Sequence, residues 1–328
     1  MTVEKGEPID IIIVTWNACD YTRYCLDSIR RYTNYPYNLI VVDNGSLDGT
    51  IGYLKRQNDI LLIQNRENVG YGGAIRQGYE AGRSRLVCVM NNDIVVSPGW
   101  LESMERTMRQ DREIGILGTL RPASFCLHPD RQKDTGLVLK ETRGHKLPSP
   151  EDWLEHYCSP YNYEDFVEEV KKTNNFGLRE IEGPPSFVST CCVLANREII
   201  DRVGGIADPR FFRYGCEDVD LCWRISTEGY KVAITSEVYV HHFKHVSVEV
   251  SNLDRKTLTE GNMRIFYQKW RNEINRFLTT KLGEGVDVGK RLVEDDLDYW
   301  FLARLEGVIG TEKFWQSVEG VKPGKERI

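Results

Sequence analysis

The feature that most constrains this chain is the repeated order of short apolar runs and amphipathic segments over its first hundred residues. Ile9 to Trp16, Asn38 to Asp43, Ile60 to Ile63 and Leu86 to Met90 are apolar runs of strand length. Between them lie segments with helical spacing, such as Tyr21, Tyr24, Cys25, Ile29 and Tyr32 behind Asp20 as a cap. Strands that alternate with helices build a parallel sheet covered on both faces. The carboxyl ends of such strands share one rim, and open α/β sheets hold their ligands there.

Polar residues stand at those strand ends. Leu86 to Met90 runs straight into Asn91-Asn92-Asp93. An Asp in that place can bind a hard cation, and the cation can neutralise a diphosphate. The tripeptide also fits an Asx turn that merely ends a strand. Ser97 and Pro98 are then expected to open a helix, as N-cap and first residue. Asp43 ends the second strand, where its carboxylate can accept from a ribose hydroxyl or a nucleobase N–H. Asp48, before Gly49-Thr50, is left to cap the next helix.

Asn68 and the glycine-rich run Gly70 to Gly73 form a loop ahead of a helix ending near Gly82. Glycine lets backbone approach a nucleotide closely, and a helix N-terminus favours anions. The run fits neither G-x-G-x-x-G nor the P-loop, which argues against a dehydrogenase or an NTPase.

Beyond Gly118 the pattern fades, and residues 121 to 183 show little periodicity. A strand is expected at Ser186 to Leu194, then a short helix capped by Asn196. Glu217, Asp218 and Asp220 cluster at the start of a helix that ends at Gly229. Three acids there complement the helix dipole. One of them, facing a cleft, can instead serve as a general base toward a hydroxyl. Strands follow at Lys231 to Thr235 and Val238 to Val240. His241, His242 and His245 come next, as solvated loop residues or, for one of them, as partner to Asp93 in a cation site suited to Mn2+ or Mg2+. From about Leu253 to Leu282, and again over Leu292 to Ile309, the pattern is helical.

Net charge is −6, so no global basic field points to nucleic acid. No apolar run has the length of a membrane span. Nine cysteines, an odd number with no C-x-x-C spacing, suggest reduced thiols in a cytoplasmic protein. No Cys–His pairing is readable, which argues against a catalytic cysteine.

Six segments recur in a fixed order over residues 9 to 248: IIIVTWNACDYTRYCLDSI, LIVVDNGSLDGT, NRENVGYGGAIRQGYE, VCVMNNDIVVSPGWLE, FVSTCCVLANREIIDRVGGI and FFRYGCEDVDLCWRISTEGYKVAITSEVYVHHFKHVS. Taken together they resemble a family 2 glycosyltransferase of GT-A fold, in its rhamnosyltransferase-like branch. The resemblance implies a Rossmann-like, mostly parallel sheet with helices on both faces and a C-terminal helical extension. Residues 1–248 would form the transferase domain: 9–120 the nucleotide-sugar half, 121–183 an irregular acceptor-side segment, and 184–248 the base and acceptor half. Residues 249–328 would be the extension.

It also implies an inverting, metal-dependent transfer from a nucleotide-diphosphate-sugar to a hydroxyl on a glycan, lipid-linked or other acceptor, with at most peripheral membrane contact. Thr15, Asn17, Asp43, Asn68, Gly70 and Arg76 would then line the donor site with Asn91, Asn92 and Asp93. Asp93 would ligate Mn2+ or Mg2+ with His242 or His241, His242 being favoured. Asp218 would be the base, supported by Glu217. Three positions depart from the pattern: Asn91 replaces the first Asp of Asp-x-Asp, Arg76 stands where many relatives carry Asn, and Lys244-His245 replaces small residues. Two alternatives are a sugar nucleotidyltransferase, whose Arg- and Lys-bearing glycine loop is missing after Thr15, and a non-catalytic glycan- or partner-binding module.

Overall fold

The computed structural model describes residues 6–122, 149–181, 184, 187–211, 214–243, 246–247, 251, 255–293, 299–316 and 318. The chain opens with β1 (Ile9–Thr15), α1 (Cys19–Tyr32), β2 (Tyr37–Asp43), α2 (Thr50–Leu54), β3 (Ile60–Gln64), α3 (Tyr71–Ala81) and β4 (Leu86–Asn91). A three-residue β5 (Ile94–Val96), α4 (Trp100–Gln110) and β6 (Ile114–Leu120) follow. The alternation read from the sequence is present. Two caps differ from expectation. Ala18, in a left-handed conformation, precedes α1, and Asp48 rather than Asp20 accepts the Cys19 N–H, at 3.1 Å. Gly99 at φ 68° starts α4, so Ser97 and Pro98 lie before the helix instead of opening it.

Residues 150–173 hold two helices that the sequence reading left as irregular chain: α5 (Pro150–Cys158) and α6 (Tyr163–Thr173). Their signals were local. Ser149 accepts from the Asp152 N–H ahead of Pro150, and Asn162 accepts from the Asp165 N–H. Residues 123–148 fall outside the described residues. β7 (Leu178–Glu180), β8 (Cys192–Asn196), α7 (Arg197–Arg202), α8 (Glu217–Thr227) and β9 (Lys231–His242) come next. β8 begins later than the expected Ser186, because residues 187–189 run without regular structure toward the rim. The two strands expected within 231–240 are one strand with a register shift, where Thr119 pairs Thr235 but Leu120 pairs Tyr239. The last helices are α9 (Arg255–Gly283), α10 (Val288–Val293), α11 (Trp300–Ile309) and α12 (Thr311–Trp315). Of the helix expected over 292–309, Leu292 and Val293 end α10 and Trp300–Ile309 form α11, with 294–298 outside the described residues.

The strands form one sheet in the order β3-β2-β1-β4-β8-β6-β9-β5, with β7 beside β9. Neighbours are parallel through β3-β2-β1-β4 and again at β6-β9, while β8, β5 and β7 run against their partners. Reversal of β8 has a positional consequence. Its first residue, Cys192, pairs Met90 near the carboxyl end of β4, so residues 189–191 sit at that same rim. The register also aligns Thr15 with Asp43 and Val14 with Asn91.

Each sheet face has its own core. One packs Cys25, Leu26, Ile29, Trp100 and Met104 against Ile11, Ile13, Val41 and Met90. The other packs Ala74, Ile75, Leu221 and Trp223 against Ile12, Val42 and Val89, and continues into Phe266, Trp270, Ile274 and Leu302 of the final helices. α3 lies close against the sheet because Gly78 has no side chain, and a Cβ there would come within 2.5 Å of Ile12 Cγ2. No helix among the described residues is long and apolar enough to cross a membrane.

Candidate active site

β5 pairs antiparallel with β9, placing Ile94 opposite His242. Asp93 therefore meets the end of β9, and its Oδ1 lies 3.2 Å from His242 Nε2, both side chains being almost fully enclosed. Asn91 Nδ2 lies 3.3 Å from the same nitrogen. Burial alone would lower the His242 pKa, but the Asp93 charge and hydrogen bond, with Cys191 adding, hold it up at about 9.

Successive residues of a strand point to opposite faces, so His241 cannot share this corner. It is buried among Trp153, Tyr157 and Phe243, with ring centroids 5.3, 4.7 and 4.8 Å away. Burial drives its pKa well below the usual range, so it is a neutral imidazole within this aromatic core. His245 lies outside the described residues.

One carboxylate and one imidazole on a pair of hydrogen-bonded strands suit a divalent cation such as Mn2+. No group of three or more His, Cys, Asp or Glu among the described residues forms a metal cluster. The donor set fits a cation whose remaining positions are filled by phosphate oxygens and water, rather than a closed structural site.

The second cluster stands at the start of α8, behind Cys216 at φ 75°. Glu217 is buried and Asp218 half-buried. Burial, and the Asp218 charge beside it, push Glu217 up to about 8, so it is largely protonated at neutral pH. Burial also raises Asp218, against the backbone N–H of Val219, the Arg121 charge and a hydrogen bond from Ser189. The Val219 N–H donates to Asp218 Oδ1 at 2.8 Å. Asp220 faces away and binds Arg224 Nε at 2.8 Å and Lys269 Nζ at 2.6 Å.

Two residues that the sequence reading passed over connect the clusters. Ser189 is in hydrogen-bonding contact with both Asp218 and the Cys191 thiol, and Cys191 with His242. Burial would raise Cys191, but the Arg121 charge and the His242 hydrogen bond bring it down to about 7. A Cys–His pairing thus exists, contrary to expectation, formed in space by β8 and β9. It was hidden because the 50 intervening residues carry no spacing motif. Asp93, His242, Cys191, Ser189 and Asp218 are thus electrostatic neighbours in series.

The donor-side residues divide into two groups. Thr15 and Asn92 are buried beneath the rim, where Asn92 Nδ2 donates to Thr15 Oγ1 at 3.2 Å and Thr22 Oγ1 at 2.9 Å. They face inward and brace the strand ends. Asn17 closes a second layer, its Oδ1 accepting the Leu47 N–H at 2.8 Å and its Nδ2 donating to Ser251 Oγ at 3.1 Å. Asp43 is buried, with Oδ2 accepting the Ser46 N–H at 3.3 Å, while Oδ1 has no hydrogen-bond partner among the described residues. An acceptor atom is thereby left over at the rim. Arg76 is half-buried on α3, and its Nη1 also lacks a partner.

Asn44, which carried no expectation, orders the glycine loop. Its Oδ1 accepts the Val69 N–H at 3.0 Å and its Nδ2 donates to Asn68 Oδ1 at 2.9 Å. Asn68 in turn accepts the Gly70 N–H at 2.9 Å, and Gly70 takes φ 82° to start α3.

The profile of "Glycosyl transferase family 2" matches residues 10–204, more than half of the chain. The chain belongs to this family. This glycosyltransferase is 27% identical over 253 residues to an N-acetylglucosaminyl-diphospho-decaprenol L-rhamnosyltransferase of Mycobacterium tuberculosis, covering 72% of this chain and 76% of that one. Its fold is that of two solved GT-A glycosyltransferases. One is a mannosyltransferase from Pyrobaculum calidifontis in complex with GDP-Man and Mn2+, with TM-score 0.52, 14% identity, and 98% and 79% of the two chains covered. The other is S. aureus TarS 1–349 in complex with UDP-GlcNAc, with TM-score 0.52, 12% identity, and 95% and 81% covered. In the glycosyltransferase described above, the matched region ends at Gly204, before both α8 and β9. Asp218 and His242 therefore lie beyond the matched residues, and the β5–β9 pairing sets His242 beside Asp93.

Proposed function

We propose that this glycosyltransferase moves a sugar from a nucleotide-diphosphate-sugar to an acceptor hydroxyl with inversion, in the assembly of a surface polysaccharide or related glycoconjugate. The observation that carries the reading is the Asp93–His242 pair, 3.2 Å apart, with Asp218 as an electrostatic neighbour beyond Cys191 and Ser189. This sets a corner suited to a cation and diphosphate near a carboxylate suited to proton removal. Residues 1–248 act as the transferase domain and 249–328 as an extension docked on its core. A lipid-linked acceptor is supported by the mycobacterial relative, which is named for transfer to a diphospho-decaprenol. A cytoplasmic location belongs to the same reading and is supported by the free thiols of the described cysteines.

In this mechanism Asp93 and His242, the latter giving up its proton, would hold Mn2+ or Mg2+, which would supply positive charge against the leaving diphosphate. Asp43 Oδ1 accepts from the nucleoside, and the loop ordered by Asn44, Asn68 and Gly70 borders it. Asp218 takes the proton from the acceptor hydroxyl as that oxygen bonds to the anomeric carbon. The bond from that carbon to the diphosphate oxygen breaks, and its electron pair leaves with the diphosphate. Glu217, mostly neutral, adds no second full charge beside the base.

A hydrolysis and thermal-shift screen of UDP-, GDP- and dTDP-sugars with and without Mn2+ tests the reading. A Mn2+-dependent shift with slow donor hydrolysis is expected for one donor class. Full turnover in excess EDTA would remove the cation from it.

A further inference from the structure

Tyr71 is the first residue of α3. Its ring is half-buried between the two clusters of the site, near Glu217. The hydroxyl lies 2.7 Å from Asn91 Oδ1 and 3.3 Å from the Thr190 carbonyl. A phenol has one proton, and the shorter contact has the better claim to it. Burial pushes its pKa well above the usual range, so the group stays a donor throughout the working pH range.

The contact matters because residue 91 is an amide. A carboxylate presents the same atoms after a half-turn, whereas an amide presents either oxygen or nitrogen. Asn91 Nδ2 faces His242 Nε2 at 3.3 Å, and that same nitrogen faces Asp93 Oδ1 at 3.2 Å. With Oδ1 held by the phenol, the amide nitrogen is turned toward the cation corner. A half-turn of the amide would lose the short phenol contact and place an oxygen against that corner.

We propose that Tyr71 is a positioning residue of the transfer reaction: its hydroxyl fixes the Asn91 amide with nitrogen toward His242, and so sets the arrangement in which Asp93 and His242 receive the donor diphosphate. This rests on the reading of Asp93 and His242 as the cation corner. The phenol acts through Asn91 and touches neither sugar nor cation. The hydroxyl is the part that matters, because a phenyl ring would fill the same space between the clusters.

The test is a double-mutant cycle on the full chain with Tyr71→Phe, Asn91→Ala and the pair. Binding of UDP, GDP and dTDP is measured by calorimetry with Mn2+, beside the steady-state constants. Tyr71→Phe is expected to weaken Mn2+-dependent nucleotide binding about tenfold, the size of one hydrogen bond, raising donor KM more than it lowers kcat. Placed on Asn91→Ala, it should add less than about twofold, because the group it positions is already gone. An unchanged thermal midpoint for Tyr71→Phe separates positioning from packing. If Tyr71→Phe binds like wild type, or costs the same in both backgrounds, the proposal is overturned. Asp93→Ala serves as the control: if it keeps Mn2+-dependent binding, the cation corner itself is misassigned, a different failure from that of Tyr71.

Discussion

The Trp270 indole N–H donates to Asp220 Oδ1 at 2.8 Å, joining the long helix α9 to the helix that carries Asp218. Asp220 is fully buried and also binds Arg224 and Lys269, both mostly enclosed. The final helices are thus fastened two residues from the proposed base. Asp220→Ala leaves two buried cations short of a partner and should destabilise the fold by about 3–5 kcal/mol. Chemical denaturation measures this, and a loss below about 1 kcal/mol would show that the anchor is minor.

Asp218→Asn keeps the side-chain shape and removes the proton acceptor. Transfer should fall by about 10²–10⁴-fold, while binding of the nucleotide with Mn2+ survives. Single-turnover assays and calorimetry separate the two. Wild-type transfer by the variant would assign the base elsewhere.

The two adjacent histidines should behave differently. Asp93→Ala and His242→Ala are expected to abolish the Mn2+-dependent part of nucleotide binding. His241→Phe substitutes one ring for another in an aromatic nest and should retain it within a few-fold. Equal losses for His241→Phe and His242→Ala would contradict the alternation of their faces along β9.

The sequence shows the first half of the sheet well, because the runs of β1, β4 and most of β2 are buried on both faces and need no partner to be recognised. Asp43, Asp93 and Asp218 could be picked out for the same reason: charged residues at the ends of such runs, or at a helix start, stand out against them. Other features are set by pairing across long separations. Reversal of β8 brings Ser189 and Cys191 to the rim, yet its apolar composition is that of a parallel strand. Whether His241 or His242 faces Asp93 depends on the β5–β9 register, which local composition does not encode. α5 and α6 were missed because charged residues dominate their exposed faces, leaving few apolar positions from which to count a period.

Stability should depend on pH through Glu217. Its carboxyl ionises at about 8 in the folded chain, against an ordinary value of 4.5. Folding therefore favours the protonated form. This contribution is fully present below about pH 4.5 and is lost as pH rises toward 8. Wild type should lose thermal midpoint between about pH 5 and pH 8, and Glu217→Gln should lose less over the same window. Parallel curves from differential scanning fluorimetry would show that Glu217 ionises normally.

β5 is three residues long and is held by the end of β9, which brings together Asn91 and His242 from positions 151 residues apart. Any nascent chain that stops short of His242 lacks half of the corner. A ribosome-bound precursor could shape its first four strands and still have no means of gripping a cation and spending nucleotide sugar. On the proposed reading competence arrives late, with the last strand of the sheet, so that closing the sheet and switching on the chemistry are one event.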